Sequence, residues 1–325
     1  MHRRVPAALA ATAVTVAIAA APGAASARPS AEPTDPGPLY ARVKDLDSRL
    51  QLQTLGRPDG KDMVFRISGS AYVNAPGDTL APGLRHGTKL FGFEGYNIRR
   101  LYREPGTDKL YNLTREIVFY TDPNDPTRIL REWRNPLDGK TYPVVPVNND
   151  AVNNGPFTVT RDLTLGQYQR VHDALISTSD IPPRTDLAAK TGDEFGLEKG
   201  VYASWEMFDF FIDRHEAGRR GRGVPKGALQ VVNSWTRSGP FVPFMCVPEK
   251  NTRANLVYHA RSWTMDSWSD LEPWLKDIVA RDYPLYKTSP SVPGPNETSW
   301  TSFWHKQLGN GKTTWNDWCA AHGRA

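Results

Sequence analysis

Residues Lys109–Val147 read KLYNLTREIVFYTDPNDPTRILREWRNPLDGKTYPVVPV, a stretch in which strand-like runs alternate with turns. Val, Ile, Phe, Tyr, Trp and Thr fill the runs, and these residues suit a pleated, half-buried surface. The two turns, Asp122–Pro126 and Asn135–Gly139, are built from the Pro, Asn, Asp and Gly residues that reverse a chain. This stretch therefore predicts a meander of three antiparallel strands.

Strand-like segments of the same kind occur on both sides of the meander, and turn residues separate most of them. Almost no helical pattern alternates with them, which favours an all-β protein. We therefore predict a mainly β fold: one antiparallel β-barrel or sandwich domain over residues 61–325. The predicted strands outside the meander are Met63–Val73, Gly87–Arg103, Phe157–Asp162, Val201–Asp213, Ala228–Arg237 and Asn255–Trp263.

One or two peripheral helices complete the predicted fold. Leu39, Val43, Leu46 and Leu50 recur at helical spacing, which predicts a short amphipathic helix lying on the barrel or plugging its end. Ser269–Tyr283 has a helical apolar pattern after a capping residue. The tail beyond this segment is rich in Pro, Ser and Trp, and we predict that it wraps the domain as irregular structure.

Glycine within the second predicted strand suggests an irregularity in the sheet. Phe91 and Phe93 share one face of the strand, whereas Tyr96 and Ile98 share the other. The apolar face thus changes sides across Gly95, and a β-bulge there would realign it. Coiling at a glycine is typical of strands that curl into a barrel.

The N-terminus has the three parts of a secretory signal peptide over residues 1–27. A basic start containing Arg3 and Arg4 precedes an Ala-rich apolar run, and small residues end at Ala27, where we predict cleavage. Residues 28–60 then form a polar tether and the short helix. The apolar run is short and weak for a membrane span, so we predict a secreted or extracytoplasmic protein with no span after cleavage.

The charge balance argues against nucleic-acid binding. The whole chain carries a formal net charge of +5, which falls by two when Arg3 and Arg4 are removed with the signal. Basic and acidic residues are interspersed, and the one dense basic cluster, Arg214–Gly223, is interrupted by glycine like a solvated loop. We therefore predict a small-molecule partner and no nucleic-acid partner.

The chain contains two cysteines, Cys246 and Cys319. In an oxidising compartment such a pair is a natural disulfide candidate, which would tie the C-terminal tail to the body of the domain. Two unrelated thiols are the alternative, because spacing alone does not bring the two Cα atoms within bonding range.

Several short motifs are spread along the chain between Met63 and Phe303. They are Phe91-Gly92-Phe93-Glu94-Gly95 with Asn97, Thr114-Arg115-Glu116, Tyr120-Thr121-Asp122-Pro123, Trp133-Arg134-Asn135-Pro136 with Gly139, Asn149-Asp150, Ser234-Trp235 and Glu297-Thr298-Ser299-Trp300. Together they resemble an uncharacterised, often exported bacterial and fungal domain family, which implies a single exported domain without supplying an activity. A looser similarity to lipocalin-type ligand-binding barrels rests on architecture alone.

Arg115 and Glu116 are the strongest candidates for chemistry. Neighbouring residues on a strand point to opposite faces, so one of these two charges must face the interior of a barrel. An inward charge needs a partner, and Glu94, Arg131 and Glu132 lie on strands predicted to be adjacent. The pair would orient a polar group of a ligand, or a Glu with a raised pKa would serve as a general acid or base. A structural ion pair that fixes strand register is the alternative.

Aromatic and polar residues supply the candidate ligand-binding set. Aromatic side chains suit the apolar wall of a small-molecule site and also suit sugar stacking, although core packing is the alternative role for each of them. The polar loop after the meander is of the kind that carries function on a rigid scaffold. The candidate ligand-binding residues are Tyr120, Trp133, Asn149, Asp150, Trp205, Trp235 and His259.

No motif predicts a metal or a cofactor. The histidines lack paired spacing, and the sequence contains no P-loop, no dinucleotide-binding glycine motif and no nucleophile elbow. We therefore expect an exported β-barrel protein that binds a small, mostly apolar molecule and, if it is an enzyme, acts as a cofactor-independent isomerase, cyclase or lyase. A non-catalytic module that binds carbohydrate or cell-envelope material through exposed tryptophans is the alternative.

Overall fold

A ten-stranded antiparallel sheet dominates the computed structural model of the chain. Its strands form one hydrogen-bonded path, with one further short strand beside it. This path has two ends and is not closed within the described part of the chain. The prediction of a mainly β fold with an antiparallel sheet is confirmed. The structure describes residues 35–75, 84–161, 163, 167–171, 174–181, 204–213, 226–248 and 254–325.

The strands of this sheet vary in length, and the longest lie at its centre. In chain order they are β1 (Met63–Asn74), β2 (Lys89–Arg103), β3 (Lys109–Thr121), β6 (Val147–Asp150), β7 (Asn154–Thr158), β8 (Gln167–Val171), β9 (Ala174–Ile181), β10 (Trp205–Asp213), β11 (Val231–Gly239) and β12 (Asn255–Met265). Across the sheet they follow the order β6-β3-β2-β1-β12-β11-β10-β9-β8, and β7 pairs with β3 beside β6.

Only the first strand of the predicted meander belongs to the large sheet. The second and third runs shorten to β4 (Glu132–Arg134) and β5 (Thr141–Pro143), which pair with each other in a separate two-stranded sheet. Glu132 is consequently not beside Glu116, and it pairs with Arg324 instead. The prediction that this carboxylate lies on an adjacent strand of the main sheet is wrong.

Five α-helices flank the sheet in the described residues. Thr298 and Thr314 cap the last two, each accepting a hydrogen bond from a backbone N–H three residues on. Trp300 and Phe303, and then Trp315 and Trp318, bury one side of each of these helices. The prediction of an irregular tail is therefore wrong for these two segments. The helices are α1 (Gly37–Arg42), α2 (Leu46–Leu55), α3 (Pro273–Asp282), α4 (Ser299–Lys306) and α5 (Trp315–His322).

Strand β2 is buried on both faces, which explains its alternating apolar residues. Phe91 and Phe93 pack in one core cluster, and Tyr96 and Ile98 pack in another beneath α3. Pairing with β3 stays in register through Gly95, while the shift in pairing with β1 lies near Ala71 instead. The predicted bulge at Gly95 is therefore wrong, because neither apolar face of the strand needs to be realigned.

A disulfide joins Cys246 to Cys319, with 5.9 Å between the two Cα atoms, as the sequence suggested. It fixes α5 to the segment after β11, whose residues Phe241–Val247 are buried in the main core cluster. Phe303 and Trp318 pack edge to face in the same cluster. The C-terminal helices therefore close one end of the sheet.

Some predictions concern segments outside the described residues. These are the signal peptide, the start of the tether and the basic cluster Arg214–Gly223. Most of the charged, Pro-containing segment Asp180–Gly200 also lies outside them. Across the ranges that the structure does describe, none of the helices has the length and apolar character needed to cross a membrane.

Candidate functional site

The face of the large sheet that carries Glu116, Phe93 and Trp235 curls inward, and we call it the concave face. The Tyr120 hydroxyl of β3 and the Tyr258 hydroxyl of β12 lie 3.4 Å apart on this face. Their strands are three spacings apart in the sheet, which is about 14 Å if the sheet is flat. A curled sheet removes this distance and turns these strands toward each other.

Small residues let aromatic rings meet across this face. Phe93 and Trp235 lie in one cross-strand row, with Gly69 and Ala260 between them. Because these two residues have little or no side chain, the two rings stack over them with centroids 5.8 Å apart. Phe208 stacks on the other side of Trp235, at 6.3 Å. The centre of the concave face is thus a wall of parallel rings.

Helices and loops close the two ends of the concave face. Leu50 of α2 packs with Met63, Phe65, Ile212 and Val231 at one end. The single helix predicted from Leu39 to Leu50 is wrong, because Asp45 caps α2 and separates it from α1. The disulfide-linked C-terminal helices cover the other end. The polar side chains of the concave face, including Glu116 and Glu206, therefore lie between two apolar clusters that close its ends.

Glu116 is the central polar group of this region. It projects from β3 opposite Asn97 of β2 and Asn149 of β6, and it is half-buried. Burial raises the pKa of its carboxyl to about 7, and the charge of Glu206 adds to this, while Arg99, the Asn97 amide and Arg237 oppose it. No cationic nitrogen of the described residues lies within 4.0 Å of the carboxylate.

Two amides and one arginine position Glu116. Arg99 donates from Nε to Asn97 Oδ1 at 2.7 Å, which directs the Asn97 amide nitrogen toward Glu116. The guanidinium also donates to Thr54 O, at the end of α2, and lies over the Phe65 ring at 4.3 Å. Burial lowers the pKa of Arg99 to about 10, which still leaves it charged at neutral pH. Arg99 therefore acts on Glu116 mainly through Asn97.

A second carboxylate, Glu206, is held on the opposite wall. Trp235 Nε1 donates to Glu206 Oε2 at 3.0 Å, and Arg237 Nε lies 3.8 Å from Glu206 Oε1. Arg237 also lies over the ring of Tyr258, 5.4 Å from its centroid. Glu206 is thus paired with a cation, whereas Glu116 has only amide partners.

Tyr120 and Tyr258 meet near the C-terminal plug. Their hydroxyls are 3.4 Å apart, although β3 and β12 are three strand spacings apart in the sheet. Burial and the neighbouring Tyr258 raise the pKa of Tyr120 well above its ordinary value. The Tyr120 hydroxyl is therefore protonated at neutral pH and serves as a hydrogen-bonding group rather than a base.

Two of the three residues proposed for chemistry lie on the other face of the sheet, which α3 covers and which we call the helix-covered face. Arg115 pairs there with Asp150, with Nε and Oδ1 2.7 Å apart. Glu94 is buried and pairs with Arg66 at 2.7 Å. The expectation that Glu94 completes a charge network around Glu116 is therefore wrong: these charges form separate ion pairs on the opposite face.

Four of the proposed ligand-binding residues also lie away from the concave face, and Asp150, the partner of Arg115, is the first of them. Trp133 is buried among core residues and donates from Nε1 to Met245 O. Trp205 is 46% exposed and precedes Glu206 on β10, so it points to the other face. His259 is exposed and lies 3.1 Å from Thr236 Oγ1. Glu116, Tyr120, Asn149 and Trp235 are the predicted residues that the structure brings together.

Sequence reasoning missed Glu206, Arg237 and Asn97. The alternation of side chains along each strand could have found two of them. Glu206 shares a face of β10 with Phe208, and Arg237 shares a face of β11 with Trp235. A pattern of this kind assigns residues to a face but does not say which distant strand the face meets.

Glu297 and His305 form a carboxyl–imidazole pair elsewhere in the described residues, with Oε1 and Nδ1 3.0 Å apart, but His305 is exposed and Lys306 also pairs with Glu297. Across the described ranges no group of three or more His, Cys, Asp or Glu side chains is placed to hold a metal ion. A small hollow between β6 and α4 is lined by residues including Tyr120, Val147, Phe244, Ser302 and Lys306, and it contains no carboxyl or imidazole group. Acid–base chemistry is therefore best supported at Glu116.

Comparison with known proteins gives a family without an assigned activity. A search of curated proteins found no match. A family model described as a protein of unknown function, DUF1838, matches residues 60–307. This range covers most of the chain and contains β1–β12, α3 and α4, including every residue of the concave face discussed above. The suspected membership in an uncharacterised family is confirmed: the chain belongs to the DUF1838 family.

Proposed function

We propose that this protein binds a small, mostly apolar molecule against the concave face and that Glu116 transfers a proton to or from it. One observation carries the proposal: a half-buried carboxyl with a pKa of about 7 that has no cationic partner among the described residues. A general acid–base group is most effective when its pKa lies near the working pH. Glu116 populates both protonation states at neutral pH and therefore suits either role.

The surroundings of Glu116 support a ligand of this kind. Phe93, Trp235 and Phe208 supply stacked apolar walls, and a few polar groups converge beside them, which is the usual composition of a small-molecule site. An isomerisation or cyclisation suits a single acid–base group, because the proton taken from one atom of the ligand is returned to another. A lyase reaction would follow if a leaving group departs after the first transfer. None of these reactions requires a cofactor.

The proposal includes export from the cytoplasm. The bond between Cys246 and Cys319 supports it, because disulfides persist in oxidising compartments and are rare where thiols are kept reduced. The predicted signal peptide points the same way.

A second candidate function rests on the outer surface of β10 and β11. Trp205, Met207 and Phe211 alternate along β10, and Val232 lies opposite Phe211 on β11. All four are exposed, Trp205 by 46% and Val232 by 50%. Exposed aromatic side chains of this kind would serve a non-catalytic module for carbohydrate or cell-envelope material.

A comparison of two tryptophan variants tests the first function against the second. Small molecules that co-purify with the exported protein are identified by untargeted mass spectrometry for wild type, Trp235→Ala and Trp205→Ala. We expect the bound molecule to be lost from Trp235→Ala and retained by Trp205→Ala. Loss from Trp205→Ala alone would support the outer surface instead.

Turnover is tested with the same extract. Wild-type protein should convert the released molecule, and Glu116→Gln should leave it unchanged while unfolding as cooperatively as wild type. A product of unchanged mass and altered chromatographic retention would indicate rearrangement, and two fragments would indicate a lyase. Full conversion by Glu116→Gln would remove Glu116 from the mechanism.

A further inference from the structure

An unpaired hydrogen-bond acceptor lies beside Glu116. Asn149 is 6% exposed, and its Nδ2 donates to Glu116 Oε1 at 3.5 Å. Its Oδ1 is buried and has no hydrogen-bond partner. Among the buried, unpartnered side-chain oxygens of the described residues, it is the one whose side chain also hydrogen-bonds Glu116. A buried acceptor without a donor is costly, and its retention beside a titrating carboxyl points to a donor on a ligand.

The cations of the concave face are already engaged. Arg237 pairs with Glu206 and lies over Tyr258. Arg99 donates to Asn97 Oδ1 and Thr54 O and lies over Phe65. A ligand carboxylate would have to displace one of these contacts to gain a cationic partner. The arrangement therefore favours a neutral polar group over an anionic one.

The shape of the apolar wall restricts the body of the ligand. Phe93 and Trp235 are nearly parallel, with an interplanar angle of 28°, and Phe208 continues the stack at 30° to Trp235. Phe93 is buried in the core, whereas Trp235 and Phe208 are half-buried and present the accessible part of this row. A flat ring system gains more contact with the exposed part of an aromatic ring than a branched chain does.

We infer that the bound molecule is a neutral, planar ring compound in which an N–H or O–H donor lies next to a carbonyl, as in a lactam. The donor binds Asn149 Oδ1, and the carbonyl accepts from the Glu116 carboxylic acid. This inference rests on the proposed function and narrows it to a substrate class. A site built to accept a hydrogen bond discriminates strongly against an analogue that lacks the donor, because its own acceptor is then left unpaired.

Three probes with the same fused-ring body test the inference. They are 2-quinolone, which has the adjacent donor and carbonyl; N-methyl-2-quinolone, which lacks the donor; and quinoline-2-carboxylate, which is anionic. Dissociation constants are measured by calorimetry at pH 6, where Glu116 is mostly protonated, and contact with the protein is checked by saturation-transfer NMR. We expect 2-quinolone to bind about tenfold more tightly than either of the other two.

Two asparagine variants make the assignment specific. Asn149→Ala should remove the advantage of 2-quinolone over its N-methyl derivative. Asn153→Ala is the matched control, because Asn153 also has a buried, unpartnered Oδ1 but hydrogen-bonds to Gly294 and Asn296 away from the concave face. This control should keep the advantage. If Asn149→Ala does not fold, the comparison of the two quinolones on wild type still shows whether the N–H donor of the ligand contributes to binding.

The possible results separate the inference from the proposed function. Equal affinity for both quinolones, weakened by Trp235→Ala, would overturn the ligand class and leave small-molecule binding intact. Tightest binding of the carboxylate would overturn the class as well. Absence of saturable binding by all three probes would overturn the class and the proposed function together.

Discussion

Arg115 and Glu116 are adjacent in the chain, yet they belong to two chemically different faces of one sheet. On the helix-covered face, carboxylates meet guanidinium groups: Asp150 pairs with Arg115, and Glu94 pairs with Arg66. On the concave face, Glu116 meets only amides within hydrogen-bonding distance. Matched charges stabilise the packing of α3 on the sheet, whereas the unmatched carboxyl retains a pKa suited to proton transfer. The same residue type is thus structural on one face and a candidate for chemistry on the other.

The helix that covers one face of the sheet explains why carboxylates are paired with cations there and not at Glu116. Leu275, Ile278 and Val279 of α3 seal the helix-covered face, so a charge there must be paired to be tolerated. Arg66 joins Glu94 to Glu272, the residue that precedes α3, and so links the helix to the sheet. The concave face is closed mainly at its ends, and Glu116, Glu206 and Trp235 remain half-buried between them. A neutral carboxyl is tolerated there without a cation.

Removing Arg66 should give the largest effect. Arg66→Met leaves Glu94 buried without its cation, and loss of one partner of a buried pair costs about 3 to 5 kcal/mol in free energy of unfolding. Urea denaturation followed by circular dichroism measures this loss. The double variant Arg66→Met/Glu94→Gln should recover part of it, because no unpaired charge then remains. A loss below about 1 kcal/mol in the single variant would show that this ion pair does not hold the face together.

Glu116→Gln should have the opposite sign and should depend on pH. The folded-state pKa of about 7 exceeds the ordinary 4.5, so the folded protein binds a proton that the unfolded chain releases between these values. Wild type therefore loses stability as pH rises through this window, and the permanently neutral Gln does not. We expect the two proteins to be equally stable below about pH 4, and the variant to be more stable by about 3 kcal/mol at pH 8.

Glu94→Gln is the matched control for that measurement. It places the same substitution on the helix-covered face, where the carboxylate is paired with Arg66 and accepts from Ser68 Oγ at 2.6 Å. It should destabilise the protein at pH 8. If Glu116→Gln and Glu94→Gln both stabilise the protein at pH 8, or if neither does, the two faces do not differ in the way described above.

Glu206→Gln should give the smallest effect. Its negative charge contributes to raising the pKa of Glu116, so its removal should lower that pKa below about 7. The Glu116 titration midpoint, followed by carboxyl NMR, measures the change. An unchanged midpoint would mean that the two carboxyls do not face each other across the curled sheet.

The sequence predicted most of the long strands and which of their side chains share a face. It missed β8 and β9, and β6 forms where a polar loop was predicted. It placed Glu116 with Tyr120 on one face of β3 and Arg115 on the other, because side-chain alternation is a local property. It could not predict that β3 and β10 approach each other, since this depends on the spatial order of ten strands and on the curl of the sheet. Glu206 and Arg237 were missed for that reason.

Two further errors have the same physical origin. Glu94 was assigned to the Glu116 network because the two lie on neighbouring strands, but its register position opposite Phe119 places it on the helix-covered face. Trp205 was assigned to the ligand wall because it is aromatic, although its neighbour Glu206 is the residue that points inward. In both cases the residue type suggested a role at the site, but the strand register places the side chain on the other face of the sheet.

Direct titration of Glu116 tests the central claim. With ¹³C-labelled glutamate, the Glu116 carboxyl resonance is identified by its absence from the Glu116→Gln spectrum and followed from pH 3 to pH 9. A midpoint of about 7 is the result that a half-buried carboxyl facing Glu206 on the concave face predicts. A midpoint near the ordinary 4.5 would contradict it and would leave Glu116 as a solvated carboxylate without a role in proton transfer.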